Sequence, residues 1–191
     1  MVDVARRRAT YAEYVAIAND SAVKYEYVAG EIVAMAGGTI AHARLISRMT
    51  SLLDHALEGK PCIVLPSDMR IRIRAADRAT YPDLFVVCGP PEQDDNDDHA
   101  VVNPTVIVEV LSDSSNESDR TDKFAAYRRL RSLREYVLVS QHERRIDVYR
   151  RREAGWLLED FGPGEHLELA SIGASLAVDD VYADALGAIV G

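Results

Sequence analysis

Apolar and polar positions along the chain change period several times, and each change marks an element. Thr10 followed by Glu13 has the spacing of a capping box and predicts a short helix over 11–18. Residues 23–28 and 31–35 are two short runs split by Ala29-Gly30, the pattern of a hairpin with a tight turn. Gly37-Gly38-Thr39 ends that hairpin and opens a longer helix over 40–58. In it Leu45, Met49, Leu52, Leu53 and Leu57 recur at helical spacing, and Gly59 stops it.

From Pro61 onward the period shortens to that of strands. Residues 62–65 and 69–73 read as strands; in the second, Met69, Ile71 and Ile73 alternate with Arg70, Arg72 and Arg74, which predicts one buried face and one basic face. Residues 84–88 and 105–111 are almost continuously apolar, as suits central strands covered on both faces. Between them, 90–99 holds five acids and no Lys or Arg, and is expected to be a solvated, mobile connector. A helix over 117–131 comes next, then strands over 135–140, 145–150 and 156–161, then short apolar pieces and a closing helix from Val178. The alternation predicts an α/β fold, a central mixed β-sheet flanked by helices, in one domain spanning 1–191.

Composition changes this picture little. The chain is 48% apolar and 28% charged, with no run long enough to cross a membrane. Cys62 and Cys88 both lie in apolar runs and read as buried thiols of a reducing cytoplasm, not as a disulfide or a zinc site. The first eight residues carry three arginines without an apolar run behind them, the reading of a cytoplasmic chain without a leader. The net charge of −9 argues against broad electrostatic attraction to DNA or anionic membrane, and leaves room for a small basic or metal-filled site.

The chemistry concentrates in three places. Pro82-Asp83 opens one apolar strand run, Glu109 interrupts the next, and Lys123 lies on the helix after it. A carboxylate inside an apolar strand costs several kcal/mol to desolvate, on the order seen for buried polar groups, unless it is paired or binds a cation. If the two strands are neighbours, Asp83 and Glu109 point at one spot, and a hard divalent cation relieves their repulsion. The Val110 carbonyl is the natural third donor. A metal there activates water and polarises a phosphoryl oxygen, and Lys123 orients the water or steadies the transition-state charge. Lysine is scarce, three residues against nineteen arginines, so one beside two candidate ligands stands out. Against this stands the plainer reading of each residue alone, a strand-end carboxylate that caps a loop or pairs with Arg.

These features resemble the PD-(D/E)XK nuclease superfamily, with its restriction-endonuclease-like fold. More narrowly, the chain resembles the Uma2 (Uma-two) family of restriction endonucleases. The resemblance is carried by Thr10-Tyr-Ala-Glu-Tyr14, Tyr25-Glu-Tyr-Val-Ala-Gly-Glu-Ile-Val33, Pro66-Ser-Asp-Met-Arg70, Tyr81-Pro-Asp83, Val108-Glu-Val-Leu-Ser112, Asp119-Arg-Thr-Asp-Lys123 with Tyr127, and Arg134-Glu-Tyr-Val-Leu-Val139. It implies a Mg²⁺- or Mn²⁺-dependent endonuclease that hydrolyses DNA, acting in some relatives as a homodimer. Leu111 stands where the superfamily motif has Lys, two residues after Glu109 and on the same strand face. The resemblance implies that Lys123 supplies the amine instead, with Tyr127, one helical turn on, bordering the site. It also implies an accessory acid at Glu26.

His42, in the first turn of the 40–58 helix, and Arg70 are further candidates for phosphate contact. The arginines at 128, 129, 131, 134, 144, 145 and 150–152 either track a nucleic-acid backbone or form a solvated, ion-paired surface. The competing function is a catalytically silent nuclease-fold module that binds nucleic acid or protein, favoured by Leu111 and by the net acidity.

Overall fold

The computed structural model describes residues 8–35, 37–112 and 116–183. Arg6, Arg7 and the end of the last apolar piece, 184–186, lie outside them. In chain order the elements are α1 (Tyr11–Asp20), β1 (Tyr25–Val28), β2 (Glu31–Ala34), α2 (Ile40–Ala56), β3 (Cys62–Pro66), β4 (Arg70–Ile73), β5 (Arg78–Thr80), β6 (Leu84–Cys88), β7 (Gln93–Asp94), β8 (Asp97–Val101) and β9 (Val106–Leu111). Then come α3 (Asn116–Ser118), a π-helical turn (Asp119–Lys123), α4 (Phe124–Tyr127), β10 (Glu135–Ser140), β11 (Ile146–Arg152), β12 (Gly155–Phe161), β13 (His166–Leu169), β14 (Ala174–Ala177) and α5 (Val178–Tyr182). The capping box at Thr10 forms: its hydroxyl accepts from the Glu13 N–H, and Glu13 accepts from the Thr10 N–H.

Six strands form a mixed sheet in the order β12-β11-β10-β9-β6-β3, in which β9 and β10 run parallel and the other neighbours antiparallel. The two continuous apolar runs, β6 and β9, are its antiparallel centre. On one face, Val106, Val108 and Val110 of β9 pack with Leu45, Met49 and Leu53 of α2, the β13–β14 hairpin and α5. On the other, Ile107 and Leu111 pack with Tyr127, Leu130, Tyr136 and β4. Glu109 is on this second face, by the two-residue alternation of a strand. A second sheet, ordered β2-β1-β5-β4-β8-β7, lies over it, and α1 covers the far side of β4 with Tyr14 against Tyr27 and Ala79.

Three expectations are corrected here. Both faces of β4 are buried: Arg72 lies 3.8 Å over the Tyr11 ring, and Arg70 is 1% exposed. The connector 90–99 is no mobile loop. It builds β7 and β8, and its acids are matched by arginines distant in sequence: Asp97 binds Arg70, and Asp94 binds Arg74. Cys62 and Cys88 are not thiols. The antiparallel register of β3 and β6 sets them directly opposite each other, and they form a disulfide. The cysteines therefore give no support to a reducing compartment. The 117–131 helix is also shorter than expected, ending at Tyr127, and the last thirty residues hold the β13–β14 hairpin that the pattern did not show. Among the described residues, no helix is long and apolar enough to cross a membrane.

Candidate active site

The start of β6 and the end of β9 meet at one end of the first sheet. The side chain of Asp83, just before β6, accepts a 2.6 Å bond from the Val110 N–H through Oδ2, and its own N–H donates to Glu109 Oε2 at 3.3 Å. The Asp83 carboxylate is thus tied to the backbone of Val110, and the Glu109 carboxylate to that of Asp83. Lys123 Nζ reaches Glu109 Oε1 at 3.2 Å and Asp119 Oδ1 at 2.9 Å. Tyr127, one turn further, donates its hydroxyl to Glu109 Oε1 at 2.9 Å. Asp83, Glu109 and Lys123 open on a cleft of about 300 Å³ that Glu26, Gly38, His42, Tyr81 and Val110 also help to line.

α2 delivers the opposite wall. Thr39 caps it by accepting from the His42 N–H at 3.1 Å and ties it to the loop after β10 by donating to Gln141. His42 Nε2 then lies 3.2 Å from Asp83 Oδ2. Gly38 makes this possible, because a Cβ there would sit 2.7 Å from His42 Nδ1.

Carboxyl groups crowd the cleft. Burial pushes the Glu109 carboxyl up to about 8; the Lys123 ammonium opposes that rise, and Asp83 and Asp119 add to it. Burial alone would lower Lys123, but Glu109 and Asp119 more than offset it, so its ammonium holds its proton firmly. Burial also holds the Tyr127 phenol far above its usual range, so it remains a donor. His42 is raised chiefly by its bond to Asp83, against burial, with the Val110 carbonyl adding to the effect. The spot between Asp83 and Val110 therefore favours positive charge.

Among the described residues, no group of three His, Cys, Asp or Glu side chains stands at metal-ligand spacing. Mg²⁺ needs less, since one or two carboxylates with waters and a substrate phosphate suffice. The oxygens of Asp83, Glu109 and Val110 fit a hard cation in kind. A buried carboxyl held up by its neighbours is a group that such a cation would relieve.

Not every predicted residue belongs here. Arg70 is buried away from the cleft, bonded to Asp97, Asn19 and Tyr81, and is not accessible to substrate. Tyr127 is fully buried and holds Glu109 from behind instead of facing the cleft. Glu26 lines the cleft but is held by Thr80 and, at 3.5 Å, by Arg78. Asp119, whose place at the head of the helix suggests a cap, is 1% exposed and shares Lys123 with Glu109. Its spacing of four from Lys123 is the sequence signal that points to this role.

Comparison with known proteins agrees with this architecture. Two proteins of Synechocystis sp. (strain ATCC 27184 / PCC 6803 / Kazusa) are similar in sequence. "Uncharacterized protein slr1290" is 38% identical over 160 residues, 83% of each chain. "Uncharacterized protein sll1609" is 34% identical over 170 residues, 88% of this chain and 96% of that one. The crystal structure of a putative nuclease belonging to DUF820 from Anabaena variabilis ATCC 29413 superposes with a TM-score of 0.75 at 18% identity, covering 91% of this chain and 97% of that one. It shows the same fold. Residues 11–179 match the Uma2 family, described as "Putative restriction endonuclease", and the chain belongs to that family.

Proposed function

We propose that the cleft hydrolyses phosphodiester bonds of DNA with a bound Mg²⁺ or Mn²⁺. One observation carries this reading: Asp83, Glu109 and Lys123, from three separate elements, meet in one cleft, where burial and the neighbouring carboxylates disfavour the anion of Glu109. Asp83, Glu109 and the Val110 carbonyl would hold the ion. When bound, it supplies Lewis-acid polarisation and a hydroxide-like nucleophile at neutral pH.

The remaining chemistry belongs to the chain's own residues. Lys123 keeps its proton, so it acts as a fixed positive charge that orients water and steadies the phosphoryl oxygens, not as a general base. Tyr127 and the Asp83 N–H fix the two oxygens of Glu109. His42, at the N-terminus of a 17-residue helix, offers a proton and a helix dipole to a phosphate. Glu26, in the lining of the same cleft, adds negative charge that Lys123 feels and serves as an accessory acid. Such an enzyme works where DNA is, in the cytoplasm, and cuts a duplex most simply as two copies of the single domain.

The test is cleavage of plasmid and of single-stranded oligonucleotide in Mg²⁺ or Mn²⁺ by wild type, Asp83→Asn and Glu109→Gln. The wild type cleaves and both variants do not. Equal behaviour of all three proteins would favour the silent module, to which the buried Leu111 already points.

A further inference from the structure

The structure sorts the arginines of the C-terminal half into two groups. Arg144 is paired with Asp179, Arg145 with Asp147, and Arg150 with Glu135 and Glu159. Among the described residues, Arg128, Arg129, Arg131, Arg134, Arg151 and Arg152 meet no carboxylate within ion-pair distance. Arg128, Arg129, Arg131, Arg134 and Arg152 are exposed.

Apart from Arg152, which alternates with Arg151 along β11 and so points to the other face, this group gathers on the 128–134 segment. Arg151 lies beneath the 128–133 segment and donates to the carbonyls of Arg128, Leu130 and Leu133, while its guanidinium lies 4.5 Å over Trp156. It thereby fixes the backbone that presents Arg128, Arg131 and Arg134. Arg134 is close enough that its charge helps burial to depress Arg151. In a chain of net charge −9, five arginines gathered without an ion-pair partner among the described residues are crowded like charges that an outside anion relieves.

The cluster is also connected to the cleft. Arg129 comes two residues after Tyr127, on the order of 10 Å along the helical segment from Lys123. A groove of about 530 Å³ shares Glu26 and Ser118 with the cleft and reaches Ala126 and Arg129. Arg129 in turn borders a hollow walled by Arg74, Leu130 and Arg131. Acids lie along the way: the groove also holds Glu31 and Asp122, Arg74 is bound by Asp94 and Asp95, and Glu153 adjoins Arg152. Positive charge is unopposed at the far end.

We infer that Arg128, Arg129, Arg131 and Arg134, supported from below by Arg151, form a docking surface for the phosphodiester backbone of the nucleic acid whose scissile phosphate enters the Asp83–Glu109 cleft. The inference rests on the phosphodiesterase reading and adds the surface that holds the substrate away from the reacting bond. Phosphate contacts fix register and orientation without reading sequence.

The experiment measures binding apart from cleavage. Fluorescein-labelled single-stranded and duplex DNA, and single-stranded RNA, are titrated in EDTA and followed by anisotropy across a salt series. The proteins are wild type, the triple variant R128A/R131A/R134A, and a control of equal charge change, R44A/R144A/R145A. The triple variant should bind at least one of these nucleic acids about 10-fold or more weakly at low salt, with a shallower slope of log affinity against log salt. The control should bind like wild type. Equal binding by all three proteins, or equal loss in both variants, overturns the inference, the second outcome because net charge alone would then explain it. Thermal melts establish that each variant is folded. R151K, which keeps charge but lacks the fork that reaches three carbonyls, should weaken binding with the three exposed arginines intact. Loss of binding by the triple variant with no cleavage in any metal leaves the surface standing and removes the hydrolytic reading. Cleavage that depends on Asp83, with binding indifferent to the arginines, does the reverse.

Discussion

Among the described residues carboxylates are buried in several places, and two of these, the β7–β8 hairpin and the cleft, treat them oppositely. In the β7–β8 hairpin, acid and base are matched: Asp97 has Arg70 and the Tyr11 hydroxyl, and Asp94 has Arg74. In the cleft, Glu109 and Asp119 share Lys123, and among the described residues Asp83 has His42 alone for a cationic partner. A matched buried pair holds a fold in register. An unmatched one is tolerated only where something else is meant to arrive. The same isosteric loss of one charge should therefore have opposite consequences in the two places.

The largest effect is on rate. Glu109→Gln should lower DNA cleavage by about 1,000-fold, the several kcal/mol that a held metal contributes to a phosphoryl transition state. Steady-state nicking of plasmid measures it. Next comes Asp97→Asn, which strands the buried Arg70 guanidinium. It should cost about 3–5 kcal/mol of stability, read from the urea midpoint. Reduction of the Cys62–Cys88 bridge, which closes a 26-residue separation, should cost about 3 kcal/mol by relaxing the unfolded chain; urea curves with and without reductant compare the two states. Glu109→Gln should change stability by less than about 1 kcal/mol or increase it, because a neutral amide of the same shape replaces a carboxyl whose anion burial already disfavours. A comparably small effect is that of Tyr127→Phe, one lost hydrogen bond worth about 1 kcal/mol and roughly 10-fold in cleavage. If Asp97→Asn proves harmless while Glu109→Gln unfolds the protein, the contrast between the regions is wrong.

The sequence shows an element when the cause of that element is local. β6 and β9 are legible because both of their faces are covered by protein, so the residues themselves are continuously apolar. α2 is legible because one stripe of leucines faces the sheet. The β7–β8 hairpin is not, since its buried acids look solvated until Arg70 and Arg74 arrive from twenty or more residues away. β5, with its Arg-Ala-Thr sequence, carries no apolar pattern of its own. The disulfide depends on a strand register that no spacing announces. In the cleft, Asp83 and Glu109 are visible as charges out of place in apolar runs, and Lys123 as a rare amine. Asp119 looks like an ordinary helix-start residue. Its burial depends on Tyr136 below, which donates to the Asp119 carbonyl.

The π-helical turn at Asp119–Lys123 has one further consequence. Such a turn is an α-helix carrying one residue too many. It lets Lys123 and Asp119 face Glu109 while α4 still sets Phe124 and Tyr127 into the core beneath. Removing a single residue between 119 and 122 would let the segment relax to ordinary helix without disturbing α4. Each residue advances a helix by about 100°, so the deleted chain would keep its aromatic anchor and present a different upstream side chain to Lys123. The register of the cleft is thus set by chain length within one turn, and a relative lacking that residue would need its buried acid at another position.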